Sequence, residues 1–185
     1  MARTRTKLER DEKVGEILEV AERRLRDGGY EALSVAAIAR ELGLAQNAIY
    51  WYFPSKDHLF VATLERMLKE IAARKPARSA GEVERILWFT DQFQVLSHLR
   101  GAMNERARDS QVVAEFVAEL DALLSRMLSN ALSGHVPEEE LPIAVESFRA
   151  TVEGCFVKGL DGRARRRVLG FALERLMGLS PNESG

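Results

Sequence analysis

Four aromatic residues stand in a row at Tyr50, Trp51, Tyr52 and Phe53, directly ahead of Pro54, Ser55 and Lys56. A helix turns about 100° per residue, so four successive side chains point in four directions and cannot share one core. Some of them must face outward, and exposed aromatics usually exist to touch something. Any fold proposed for this chain has to explain that surface.

The apolar spacing around the cluster is helical, and no convincing alternating strand pattern occurs anywhere. Val14, Ile17, Leu18, Ala21 and Leu25 recur at helical intervals, which predicts a first helix from about Asp11 to Asp27, stopped by Gly28-Gly29. Ser34 is a good N-cap for a second helix, Val35 to Leu42, with Ile38 and Leu42 on its buried side. Gly43 turns the chain into a third, from about Ala45 to Phe53. Pro54-Ser55 breaks again, and Ser55 caps a long fourth helix reaching about Arg74. After the linker KPARSAG, further helices are expected at about Glu82–Leu99, Met103–Ala107, Val112–Leu132, Glu139–Leu160 and Arg163–Leu179.

Two short helices joined by a glycine turn make a helix-turn-helix. Ile38, Leu44, Ile49 and Phe53 can share a small core with Val14, Leu18 and Leu33. With Ile49 and Phe53 inside, Gln46, Asn47, Tyr50 and Trp51 fall together on the other face of the third helix. Gln and Asn side chains can bond adenine in two places, and Tyr or Trp can donate to phosphate or pack on sugar and thymine methyls. Lys56 sits in the first turn of the fourth helix, whose free N–H groups already favour an anion. Phe53 then anchors the core, Tyr50 and Trp51 face a ligand, and Tyr52 sits between the two. A mostly buried Trp51 and a merely solvated Gln46 are the alternatives.

The segment LSVAAIARELGLAQNAIYWYFPSKDHLF, about Leu33 to Phe60, resembles the tetracycline-repressor (TetR) family of bacterial regulators. It shares an Ile-Ala pair, a turn glycine, a closing Tyr-x-x-Phe and a Ser-Lys-acidic-x-Leu helix start. One departure is Ala45, where the family often has a Ser or Thr cap worth about 1 kcal/mol, so the third helix is expected to be short or to firm up only on DNA. The resemblance implies an all-α fold of about nine helices. Residues 1–54 would form the DNA-binding helix-turn-helix domain, and residues 55–185 a helical ligand-binding and dimerisation domain. The DNA-binding set is then Ser34, Gln46, Asn47, Tyr50, Trp51, Tyr52 and Lys56, with Arg5. Arg3, Arg5 and Lys7 form either a plain solvated terminus or a flexible arm reaching phosphates or the minor groove.

Farther along, the helix expected at Glu139–Leu160 is apolar on two nearly opposite sides. Leu141, Ala144, Val145, Phe148, Val152 and Cys155 mark one stripe; Ile143, Ser147, Ala150, Gly154 and Val157, mostly small, mark the other. A helix apolar on two faces is sandwiched. Val168, Leu169, Ala172, Leu173, Leu176 and Leu179 in the last helix offer a matching stripe, with Leu169, Leu173 and Leu176 as its expected contacts. The family resemblance implies that these two helices pair with their copies in a twofold homodimer, while which stripe meets the partner stays open. Met67, Trp88, Phe89, Phe93, Met103, Phe116 and Phe148, with Gln92 and Thr151 as polar contacts, either line a ligand cavity or simply pack a core. GRARRR at Gly162–Arg167 is either a solvated or salt-bridging helix start or a second basic patch.

Composition sets the outer limits. The formal net charge is −1, and the first sixty residues hold ten Lys/Arg against ten Asp/Glu. Local distribution matters more: no acid occurs between Gly43 and Phe53, as a phosphate-facing surface requires. No apolar run approaches the roughly 18 residues of a membrane span, the basic N-terminus has no apolar stretch behind it, and a cytoplasmic location is the default expectation. One cysteine, Cys155, and three histidines without ligand spacing leave no metal site, cofactor or catalytic group to propose. The expected function is a transcriptional regulator, most simply a repressor, that binds a palindromic DNA operator as a dimer and is released by a small-molecule effector. An architectural or division-type DNA-binding protein without an effector is the alternative.

Overall fold

The computed structural model describes residues 2–74, 76–77 and 80–179, with side chains from residue 9 onward apart from that of residue 95. All regular segments among these residues are helices: α1 (Ala2–Ala32), α2 (Val35–Glu41), α3 (Gln46–Tyr52), α4 (Lys56–Ala73), α5 (Glu82–Gln92), α6 (Gln94–Ser97), α7 (Arg100–Arg106), α8 (Gln111–Leu132), α9 (Leu141–Val157) and α10 (Gly162–Leu176). By contact the chain groups into two units, Met1–Arg74 with His98–Val117, and Lys75–Ser97 with Ala118–Gly185. The functional division expected after residue 54 therefore cuts through a packed unit, because α4 groups with the three helices before it.

In the first unit, α1 packs mainly on α4, and α2 packs on α3 and α1. Ile17, Ala21, Leu25, Leu33, Ile38, Ile49, Leu59, Phe60 and Leu64 are fully or nearly fully buried. Val14 and Leu18, expected in this core, are only half-buried; the periodic row is centred one residue away, on Ile17 and Ala21. The first helix also begins at Ala2, so the basic N-terminal segment is helical where a flexible arm was one expectation. At its other end, Gly28-Gly29 breaks the helix as expected, Gly28 at φ −146° and Gly29 at φ +65°, before a short helical turn resumes to Ala32. Glu22, 8% exposed, accepts a hydrogen bond from Arg26 on its own helix (2.6 Å) and one from Arg66 (3.1 Å) that holds α1 to α4.

The second unit places α10 against α9 and α5. Its core joins Ile86, Leu87, Leu132, Ala144, Val145, Phe148, Cys155, Leu169, Leu173 and Met177. Cys155, 3% exposed, is a core residue, and that burial pushes its thiol pKa up. The helix expected at Glu82–Leu99 is interrupted at Phe93, where α5 ends. Thr90 donates its hydroxyl back to the Ile86 carbonyl at 2.9 Å, a contact that loosens the helical ladder just before the break. The basic run forms ion pairs within this unit. Buried Arg165 donates to Asp91 (3.1 Å) and Gln94 (2.7 Å), and Arg166 pairs with Asp91 and Glu84.

Candidate nucleic-acid interface

The helix-turn-helix is built on the local chemistry of Ala39 to Leu44. After α2 the Gly43 N–H donates to the Arg40 carbonyl (3.3 Å) and the Leu44 N–H to the Ala39 carbonyl (2.8 Å). This is a Schellman closure, which needs a left-handed residue at its turn; Gly43 supplies it at φ +65°. A side chain there would meet open space but a strained backbone. Ser34 begins the motif by accepting the Ala37 N–H at 3.3 Å, which occupies its hydroxyl oxygen as a cap while leaving the side chain exposed. Ala45 precedes α3 with no side-chain cap, and α3 is only seven residues long.

Two buried residues fix the orientation of α3. Ile49 is fully buried and Phe53 7% exposed, so Gln46 and Asn47 are exposed on the opposite face beside Tyr50 (40%) and Trp51 (67%). Tyr52 is half-buried and meets Trp51 edge to face, ring centroids 4.9 Å apart. The aromatic row thus divides as its helical spacing requires: one anchor, one intermediate and two outward rings. Arg10, which sequence reasoning passed over, lies with its guanidinium 5.1 Å from the centre of the Trp51 ring. The side chain of Arg5 lies outside the described residues. The nearest acid before the turn, Glu41, is tied up by Arg24 (2.9 Å) and Arg23; the Arg24 bond leads in lowering its pKa.

α4 opens with Ser55 accepting the His58 N–H at 3.2 Å. Lys56 places its ammonium 3.9 Å above the centre of the Tyr30 ring, an arrangement that holds the charge while leaving its N–H donors for an anion. Below it is a network not foreseen from the sequence. Buried Asp57 accepts from the Tyr30 hydroxyl (2.6 Å) and, through both carboxylate oxygens, from Arg106 on α7 (3.2 and 2.9 Å). Those Arg106 bonds hold the Asp57 carboxyl at a pKa of about 2. Burial, reinforced by Asp57, pushes the Tyr30 phenol up to about 12. The available signal was the acid of the Ser-Lys-Asp helix start, but nothing in the spacing identified Tyr30 and Arg106 as its partners.

The expected effector residues are distributed over both units. Met67, Met103 and Phe116 are buried in the first. In the second, Phe148 belongs to the core cluster, Trp88 and Phe89 meet edge to face at 5.0 Å, and Gln92 and Phe93 are half-buried. Thr151 donates its hydroxyl to the Ser147 carbonyl at 2.8 Å. A groove of about 1210 Å3 opens in the second unit between Glu82, Leu87, His135, Arg166, Phe171 and Glu174, and none of the expected effector residues lines it.

On the expected partner face, Ser147 and Ala150 are exposed, Val157 is 83% and Ile143 65% exposed, and Gly154 is half-buried with open space where a Cβ would stand. Leu169 and Leu173 require correction: at 1% and 0% exposure they pack inside their own unit and offer nothing to a second chain. Leu176 is half-buried. Of the expected stripe Val168 (42%) does face outward, and beside it stands Phe171 (61%), which the spacing did not single out.

Comparison with known proteins agrees with this geometry. The sequence profile of bacterial regulatory proteins, tetR family, matches residues 17–63. The chain is 32% identical over 125 residues to the HTH-type transcriptional repressor KstR of Rhodococcus jostii, covering 63% of this chain and 58% of that protein. It spans 55–59% of the length of the KstR repressors it matches. Against the transcriptional repressor AcnR of Corynebacterium diphtheriae it is 28% identical over 182 residues, covering 90% of this chain and 93% of that protein. A transcriptional regulator from Rhodococcus sp. RHA1 has the same fold, with a TM-score of 0.69 at 21% identity over 89% of this chain and 94% of that one. The helix-turn-helix, the all-helical architecture and these relatives agree: over residues 17–63 the chain matches the tetR family of bacterial regulatory proteins, and its fold is that of solved transcriptional regulators.

Proposed function

We propose that the protein is a DNA-binding transcriptional regulator acting as a repressor, not an enzyme. The observation that carries this reading is the outward face of α3, where Gln46, Asn47, Tyr50 and Trp51 are exposed over a turn fixed by buried Ile49 and Phe53. Amide side chains at the start of a helix suit base edges in the major groove, and the aromatic rings and Lys56 suit sugar and phosphate. KstR and AcnR, both named transcriptional repressors, favour the same reading and its sign.

The protein works as a homodimer. Exposed Ile143 and Val157 lie on α9 with the small Ser147, Ala150 and Gly154, and exposed Val168 and Phe171 lie on α10. An apolar surface with small residues at its centre suits close approach of a second copy. A twofold dimer reads an inverted repeat whose half-sites lie about 34–36 Å apart. A small-molecule effector held in the helical second domain, against residues such as Trp88, Phe89 and Phe93, releases the DNA. Selection from a random DNA library with purified protein tests the core of the proposal. Enrichment of an inverted repeat is expected; recovery of unrelated sequences with no common half-site contradicts it.

A further inference from the structure

We propose that the N-terminal end of α1 adds a DNA-backbone contact outside the helix-turn-helix, with Arg10 as a phosphate-binding residue positioned by the exposed ring of Trp51; this rests on the DNA-binding reading above. The placement follows from helical geometry. Arg10 stands two turns before Ile17 on the same face of α1, and Ile17 is fully buried. That row of α1 therefore faces the core and, where the core ends, continues past it. What it meets there is Trp51, 67% exposed on α3, with the Arg10 guanidinium 5.1 Å from the ring centre. Trp51 is itself braced edge to face against Tyr52 at 4.9 Å.

The chemistry of this pair points outward. Among the described residues Arg10 has neither a hydrogen bond nor an ion pair, unlike Arg23, Arg24, Arg26 and Arg66 on the same unit, each bonded to a carboxylate. A guanidinium held over an indole ring by cation–π attraction keeps its N–H donors free, and these match two oxygens of a phosphate. Glu9 and Asp11 are turned about 100° to either side, and Gly43 to Phe53 contains no acid to compete. The Arg10–Trp51 pair sits beside the residues proposed to read bases, so the nearest anion in a complex is the backbone flanking the read sequence. Contacts of this kind set register and affinity and are indifferent to sequence.

The test is DNA affinity as a function of salt, measured by fluorescence anisotropy for wild type, Arg10→Ala, Arg10→Lys, Trp51→Ala and the Arg10→Ala/Trp51→Ala double variant, each checked for an unchanged circular-dichroism melt. Loss of one phosphate contact flattens the plot of log K against log salt by about 0.9. Arg10→Ala is expected to show that loss, with affinity reduced about 3- to 10-fold on specific and unrelated DNA alike. Arg10→Lys keeps the charge and should retain most of the slope. If Trp51 positions Arg10, the double variant has the slope of Arg10→Ala and no less. A wild-type slope in Arg10→Ala overturns the phosphate contact, and additive slope losses in the double variant overturn the positioning role. Wild-type protein with no salt-dependent DNA binding would instead overturn the DNA-binding reading itself.

Discussion

Replacing Asp57 by Asn tests whether the network beneath α4 holds the DNA-binding unit together. The carboxyl is 9% exposed, bonded by Arg106 through two oxygens and by Tyr30 through one. Its pKa stands at about 2 against an ordinary 3.8, a difference that corresponds to about 2–3 kcal/mol of folding stability at pH 7. Asn keeps the shape but offers an amide N–H to the Arg106 guanidinium, where a donor faces a donor. The variant should therefore lose about 2–3 kcal/mol at pH 7. Because the folded pKa is depressed, the wild-type advantage is complete above about pH 5 and disappears as pH falls from 3.8 toward 2. Roughly half of it, about 1.3 kcal/mol, survives at pH 3. Urea unfolding followed by far-ultraviolet circular dichroism at pH 7 and pH 3 measures both quantities. A difference between the two proteins that is the same at both pH values, or below about 0.5 kcal/mol at pH 7, would refute the reasoning.

Gly154→Arg should convert dimer to monomer in sedimentation without unfolding it, since a Cβ at Gly154 meets nothing within 4 Å and leaving Gly behind in a helix gains about 0.8–1 kcal/mol; a dimer of wild-type strength would remove α9 from the interface. Lys56→Ala should flatten the salt dependence of DNA binding by about 0.9 and lower stability by about 0.5–1 kcal/mol through loss of its contact with Tyr30, both readable from the same preparations. For any effector found by thermal shift, linkage requires that operator DNA weaken its binding by the factor with which it weakens DNA binding; equal affinities with and without operator would mean that the compound is not the signal.

What could be read from the sequence was whatever rests on spacing along one helix. The turn at Gly43, the caps at Ser34 and Ser55 and the division of Tyr50–Phe53 into anchor and outward rings all follow from residues within a few positions of one another. Pairings across helices were not legible: Tyr30 and Arg106 lie 27 and 49 residues from Asp57, and no local pattern announces them. The last helix failed for a different reason. Val168, Leu169, Ala172 and Leu173 are all apolar, so periodicity alone could not say which side is core, and the outward ring at Phe171 was overlooked. Arg10 escaped for the same reason as Tyr30 and Arg106: its partner, Trp51, lies on another helix, and no local pattern announces the pairing.

The central claim is that the outward face of α3 reads DNA bases, and its most direct test is the base preference of Asn47→Ala. Binding of wild type and variant is measured by anisotropy on a selected operator and on operators carrying each single base-pair change in a half-site. The account predicts that the variant loses discrimination at one position, by about 1–3 kcal/mol, and keeps the wild-type pattern elsewhere. An unchanged preference at every position would contradict it.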